Sequence, residues 1–268
     1  MVVAPKNKEW LSKLRPEISE RAFKERFENP ADFTFVFVGD FNEKNLLDLC
    51  AHYLGSLKTN DKFEETKYIY FPFPKKSQTI TVKKGIDKTG YVYICFGGEL
   101  PKNDNIEENF KENVIISQLA SLLNIRLREV IREDKSGSYG VKCQAFIDGW
   151  PERFYKCEIE FGCEPEREEE LKDSVIEAIT DIQNGNISDD LIAKLKETYI
   201  RELETSLRNN SWWLGRISSE IIFSYEPLWY TKDCKETADW ITKEALSEVA
   251  NKYLDTEKFV TAYLKPEK

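Results

Sequence analysis

A chain of 268 residues with 41% hydrophobic content is long enough to bury a sizeable core and too apolar to be disordered. Its 39 basic and 48 acidic residues leave a net charge of -9 and a pI near 5.0, which argues against nucleic acid as a partner because a phosphate backbone is repelled. No apolar run approaches the roughly 20 residues that cross a bilayer, so no membrane partner is expected.

In chain order, Ser19 to Asn29 reads as a charged helix, and Phe33 to Val38 (FTFVFV) as a buried strand ended by Gly39. Asp40 or Asn42 can cap the next helix, whose Leu46, Leu47, Leu49, Cys50, Tyr53 and Leu54 recur at helical spacing until Gly55. Lys58 to Lys76, proline-marked at FPFP, reads as a connection. Gln78 to Val82 and Tyr91 to Phe96 are expected to pair as a hairpin across KKGIDKTG. A long amphipathic helix follows from Glu107 to Glu133, then a second hairpin of Tyr139 to Ile147 and Phe154 to Phe161. In its latter strand Tyr155, Cys157, Ile159 and Phe161 alternate with Lys156, Glu158 and Glu160, the pattern of a sheet with one buried and one wet face. Helices are predicted over Glu166 to Gln183, Ser188 to Leu207 (capped by Ser188, Asp189 or Asp190), Trp212 to Phe223 and Thr242 to Tyr253, before a last strand, Phe259 to Leu264. These elements predict an α+β two-layer sandwich, with about six strands in a mostly antiparallel sheet and helices packed on one face.

The chemistry the chain lacks is as informative as its fold. A hydrolytic zinc centre needs about three protein ligands, and this chain has one histidine, His52. Neither a His-Glu-x-x-His nor a His-x-x-Glu-His helix can be written anywhere, and no serine sits in a nucleophile elbow. Cys50, Cys95, Cys143, Cys157, Cys163 and Cys234 form no zinc-knuckle pattern; most lie in apolar segments as small hydrophobes, which favours a reducing compartment. The start, MVVAPKNKEW, has no signal-peptide core, leaving export open. The acidic run Glu164 to Glu170 opens a helix, where negative charge complements the dipole.

The stretches LREVIREDKSGSYGV, PERFYKCEIEFGCEP and DFTFVFVGDFNEKNLLDLCAHYLGSL resemble the C-terminal domains of pitrilysin/insulinase-type zinc peptidases, over residues from about 20 to the end. The resemblance implies repeated α+β domains around a closed chamber, with zinc on a His-x-x-Glu-His helix of another domain. Trp212, Trp213, Phe223, Tyr225, Trp229 and Tyr230 read first as helix packing and second as part of that chamber's wall. It places residues 1–28 as a lead-in and linker helix and 29–268 as the C-terminal domain, with no catalytic or metal-binding residue of its own. It also implies that Arg132 and Tyr139, seven residues apart in IREDKSGSY, reach the backbone of a bound peptide. Guanidinium and phenol both donate hydrogen bonds, and so suit a carbonyl or the oxyanion developing on it. The residues alone also permit a structural pair. A cation in a last helical turn is favoured by the dipole, and Tyr139 shares strand parity with Val141, Cys143 and Ala145.

The expected function is thus a non-catalytic, substrate-binding part of a multidomain zinc peptidase. Its partners would be other domains of the same polypeptide and a peptide substrate. A free-standing inactive assembly subunit of the same fold is the alternative.

Overall fold

The computed structural model describes residues 8–60, 72–86, 89–134, 138–149, 152–223 and 233–267; the side chains of residues 10, 132–134, 138–139 and 222–223 lie outside that description. The strands are β1 (Gln78–Lys83), β2 (Gly90–Glu99), β3 (Ser138–Asp148), β4 (Phe154–Cys163) and β5 (Val260–Lys265). The helices are α1 (Lys8–Ser12), α2 (Pro16–Phe27), α3 (Glu43–Leu49), α4 (Ile106–Leu127), α5 (Glu168–Gln183), α6 (Asp189–Ser206), α7 (Asn210–Phe223), α8 (Cys234–Ala238) and α9 (Lys243–Tyr253). They fall into two compact units, Met1–Phe71 with Asn210–Ser218, and Pro72–Asn209 with Ser219–Lys268.

In the larger unit, alternation builds the sheet, in the order β1-β5-β2-β4-β3. Val92, Ile94 and Phe96 of β2 stand opposite Phe161, Ile159 and Cys157 of β4, and all six are buried. Removing a side chain such as Phe96 from water contributes about 1.5–3 kcal/mol. α4 packs across this inner face with Leu119, Leu122, Leu123 and Leu127 fully buried, and α5 and α9 complete the layer through Leu171, Val175, Ile179, Leu246, Ala250 and Tyr253. Helices therefore gather on one side of a mixed sheet, as the periodicity predicts.

Caps anticipated from sequence are in place. Asn42 accepts from Asn45 N at 3.0 Å and Ser188 from Leu191 N at 3.3 Å, each satisfying a free amide of the first turn. α4 widens into a π-helical turn over Arg128–Asp134. Two glycines make room for a neighbour: a Cβ at Gly97 would lie 2.8 Å from the Phe73 ring, and one at Gly90 2.4 Å from Glu168 Oε1. Glu168 is buried and its Oε2 is 2.9 Å from Lys265 Nζ, an ion pair between the start of α5 and the end of β5.

Two expectations fail. β1 and β2 are not a hairpin: β5 lies between them, parallel to β1 and antiparallel to β2. A two-residue turn would force adjacent strands to pair, but residues 84–89 are long enough to step over one strand, a spacing of about 10 Å. The second failure is Phe33–Val38, which is not a strand. The sheet accordingly has five strands among the described residues rather than about six. In the smaller unit this segment runs without pairing, and no described residue from 8 to 60 is buried.

Candidate functional site

The sheet's second face carries the alternate residues of each strand. On β4 and β3 they are polar apart from Phe146 and Phe154, which meet edge to face: Lys142 Nζ lies 3.3 Å from Glu160 across the strands, and Lys156 Nζ 2.7 Å from Glu158. Tyr93 of β2 donates its hydroxyl to the same Glu158 carboxylate. Burial alone would raise Glu158, but the bonds from Lys156 and Tyr93 outweigh it and hold the carboxyl below its ordinary value. Burial, then the bond to Glu158, pushes the Tyr93 phenol up. Towards β1 the same face turns apolar through Leu264, Ile80 and Val82, all exposed. The wet face read from the alternation in β4 is therefore real, and at its β2–β4–β3 end it opens into a shallow depression of about 570 Å³. Thr89, Tyr91, Gly140, Lys142, Glu160 and Gly162 contribute to its lining.

Of the two residues singled out by resemblance, Tyr139 precedes the lining residue Gly140 in the chain, and neither is among the lining residues named. Arg132 lies in the π-helical turn that extends α4, and Tyr139 is the second residue of β3; both side chains are outside the described residues, as is the connection 135–137. The backbone does bear on Tyr139. The β3–β4 register shifts between Ser138 and Val141, a bulge that interrupts strand parity, so the argument that aligned Tyr139 with the core-facing row of Val141 and Cys143 does not carry across it. Of the nearby cations, Arg126 is 3.9 Å from Glu129 on its own helix.

Sequence reasoning missed how the outer edge of β3 is closed. Asn124 of α4 donates to Cys143 O and accepts from Cys143 N, both at 2.8 Å, and Asn113 accepts from Ile147 N at 3.1 Å. Two side-chain amides thus occupy edge groups that an added strand would need. The signal was present as asparagines on the apolar helix α4, but only the fold shows what they face.

Among the described residues, the donors present do not fit zinc ligation. His52 is exposed in the turn Cys50–Leu54 beside Tyr53. Cys95, Cys143, Cys157 and Cys163 are buried free thiols. Among the described residues no group of three His, Cys, Asp or Glu side chains is placed to hold a metal. Trp212 and Trp213 meet edge to face at 5.0 Å in α7, with Arg216 over Trp212, while Tyr225, Trp229 and Tyr230 lie outside the described residues.

The larger unit is thus a one-sided α+β sheet whose edge strand β3 is met by side-chain amides of α4. The sequence profile described as "Peptidase M16 inactive domain" matches residues 21–199, and the chain belongs to that family. It is 27% identical over 219 residues to a zinc protease PQQL-like protein of Arabidopsis thaliana, covering 77% of this chain and 22% of the relative. It is 25% identical over 237 residues to a probable zinc protease PqqL of Escherichia coli, covering 87% of this chain and 24% of that one. The chain thus spans about a quarter of the length of the curated relatives it matches. In fold it is similar to the crystal structure of the periplasmic protease PqqL from Escherichia coli, with a TM-score of 0.76, 23% identity, 96% of this chain and 28% of that one. It is also similar to the ferredoxin protease FusC in complex with Arabidopsis ferredoxin, with a TM-score of 0.72, 17% identity, 99% of this chain and 28% of that one.

Proposed function

We propose that this chain is the substrate-binding, non-catalytic domain of a larger zinc metallopeptidase, closing a peptide chamber and contacting the substrate backbone. The observation that carries the reading is the pairing of an inactive-domain family match with relatives called zinc proteases that are about four times as long. The zinc comes from another domain, since a lone exposed imidazole cannot assemble a metal centre.

The polar sheet face around Tyr91, Lys142 and Glu160 is the surface offered to peptide. Because α4 amides occupy the edge at Cys143 and Ile147, contact there runs through side chains rather than through an added strand. Arg132 and Tyr139 flank the connection at the head of β3 and donate hydrogen bonds to a substrate carbonyl and to the oxyanion formed from it. They assist a reaction initiated elsewhere.

In the full-length enzyme, Arg132→Ala and Tyr139→Phe should each lower kcat by about 10²-fold, the scale of losing one oxyanion donor, with zinc content unchanged. Unchanged kinetics in both variants removes these residues from the mechanism. Lowered zinc content in step with activity assigns them to the fold of the metal site instead.

A further inference from the structure

The segment that fails to form a strand points to a second domain. In the larger unit the chain ends in a helix and a strand: Tyr253 closes α9, five residues follow, then Phe259 leads into β5. Residues 16–38 repeat that course, with Phe27 closing α2, five residues, and Phe33 leading into Thr34–Val38. At this spacing Phe23, Phe27, Phe35 and Phe37 correspond to Val249, Tyr253, Thr261 and Tyr263. All four of the latter are less than 8% exposed, whereas the phenylalanines are 63, 57, 47 and 48% exposed. The match weakens up the helix, where Glu20 and Lys24 stand for the buried Leu246 and Ala250.

The phenylalanines form a ridge, with ring centroids 4.7 Å apart for Phe23 and Phe27, 6.0 Å for Phe27 and Phe33, and 6.2 Å for Phe33 and Phe35. Beside it Thr34 to Val38 make no hydrogen bond among the described residues, and Leu47, Leu49 and Tyr53 from α3 and the turn after it are exposed as well. A run apolar on both faces, with an unpaired backbone and no buried residue near it, is the composition of an internal strand without its sheet.

We infer that residues 16–57 are the closing helix, strand and helix of another α+β domain of this same fold, and that Thr34–Val38 sit inside that domain's mixed sheet. β5 supplies the template, since it is internal, with a parallel neighbour on one side and an antiparallel one on the other. The missing strands belong to sequence other than these 268 residues. The matched relatives have room for them, and one is met twice: PqqL as a whole at 23% identity and its first half alone at 15%, with a TM-score of 0.71, as expected of two copies of one fold. The domain that carries the sheet face described above then begins near residue 72. This inference stands whether or not that face binds peptide.

Amide hydrogen exchange on the natural full-length protein and on the 268-residue chain tests it. Thr34–Val38 should exchange at least about 100-fold more slowly in the full-length protein than in the shorter chain, where rates should be near those of an unfolded peptide. Fast exchange in the full-length protein overturns the inference. So does protection in the 268-residue chain, which means pairing within the chain if independent of concentration and pairing with a second copy if it rises with concentration. In the full-length protein Phe37→Asp should abolish the protection of 34–38 and leave β2 and β4 protected as before; equal loss in β2 and β4 assigns the segment to their own domain and contradicts the proposal.

Discussion

Glu112 joins three elements through one carboxylate. Arg153 from the turn before β4, and Lys252 and Tyr253 from the end of α9, all donate to it from around its place on α4. Burial opposes the charge, yet these three donors outweigh burial and hold the carboxyl below its ordinary value. A depressed carboxyl contributes stability that is full above its unfolded value of about 4.3 and is lost as pH falls through the folded value. Glu112→Gln should therefore lower stability by about 1.5–3 kcal/mol near neutral pH, the range for hydrogen bonds to a charged group. Thermal melts across pH should show the variant and the parent converging on acidification. A constant gap down to the acid limit would show that the charge at Glu112 is not what stabilises the fold. Single residues of this kind are poorly legible in sequence, because Glu112, Arg153 and Lys252 are far apart in the chain and only packing makes them neighbours. The thiols were legible as small hydrophobes and nothing more. They are free, as a reducing compartment would allow, but the Escherichia coli relative is a periplasmic protein, so they do not assign one.

At the scale of elements, the closure of β3 by α4 makes a separate prediction. Asn124→Ala strands both the N–H and the C=O of Cys143, at about 1–3 kcal/mol for buried groups left unpaired, and reopens the edge. Lower stability by denaturant titration and concentration-dependent association by light scattering are the expected outcomes. A monodisperse variant of parental stability would mean the amides are incidental. The same elements show what the sequence could carry. The β3–β4 hairpin, the caps at Asn42 and Ser188, the apolar stripe of α4 and the helices α5 and α9 follow from short-range signals, and they stand. The pairing of β1 with β2 was misjudged because insertion of β5 depends on residues nearly 180 positions away, and local turn chemistry holds no trace of them. The bulge after Ser138 likewise cannot be read from alternation, and it falls where the role of Tyr139 was argued.

For the whole molecule, the family and the fold class were accessible early because they rest on long, strongly patterned stretches and on one scarcity, a single histidine. The candidate site was accessible only in outline. Alternation in β4 foretold a wet sheet face, whereas the depression by Tyr91 and Gly162 needs strands β2, β3 and β4 side by side. Phe33–Val38 was read as a buried strand from its composition, and its exposure here is what ties that composition to a sheet elsewhere. The proposal on which the functional account turns is that this chain has no hydrolytic centre of its own and acts as part of a larger peptidase. Metal analysis and peptide hydrolysis on the purified 268-residue protein, supplied with excess zinc and then desalted, test it together. The expected result is far less than one zinc per chain and no turnover above the no-enzyme control. One tightly held zinc per chain with sustained peptide cleavage would contradict it.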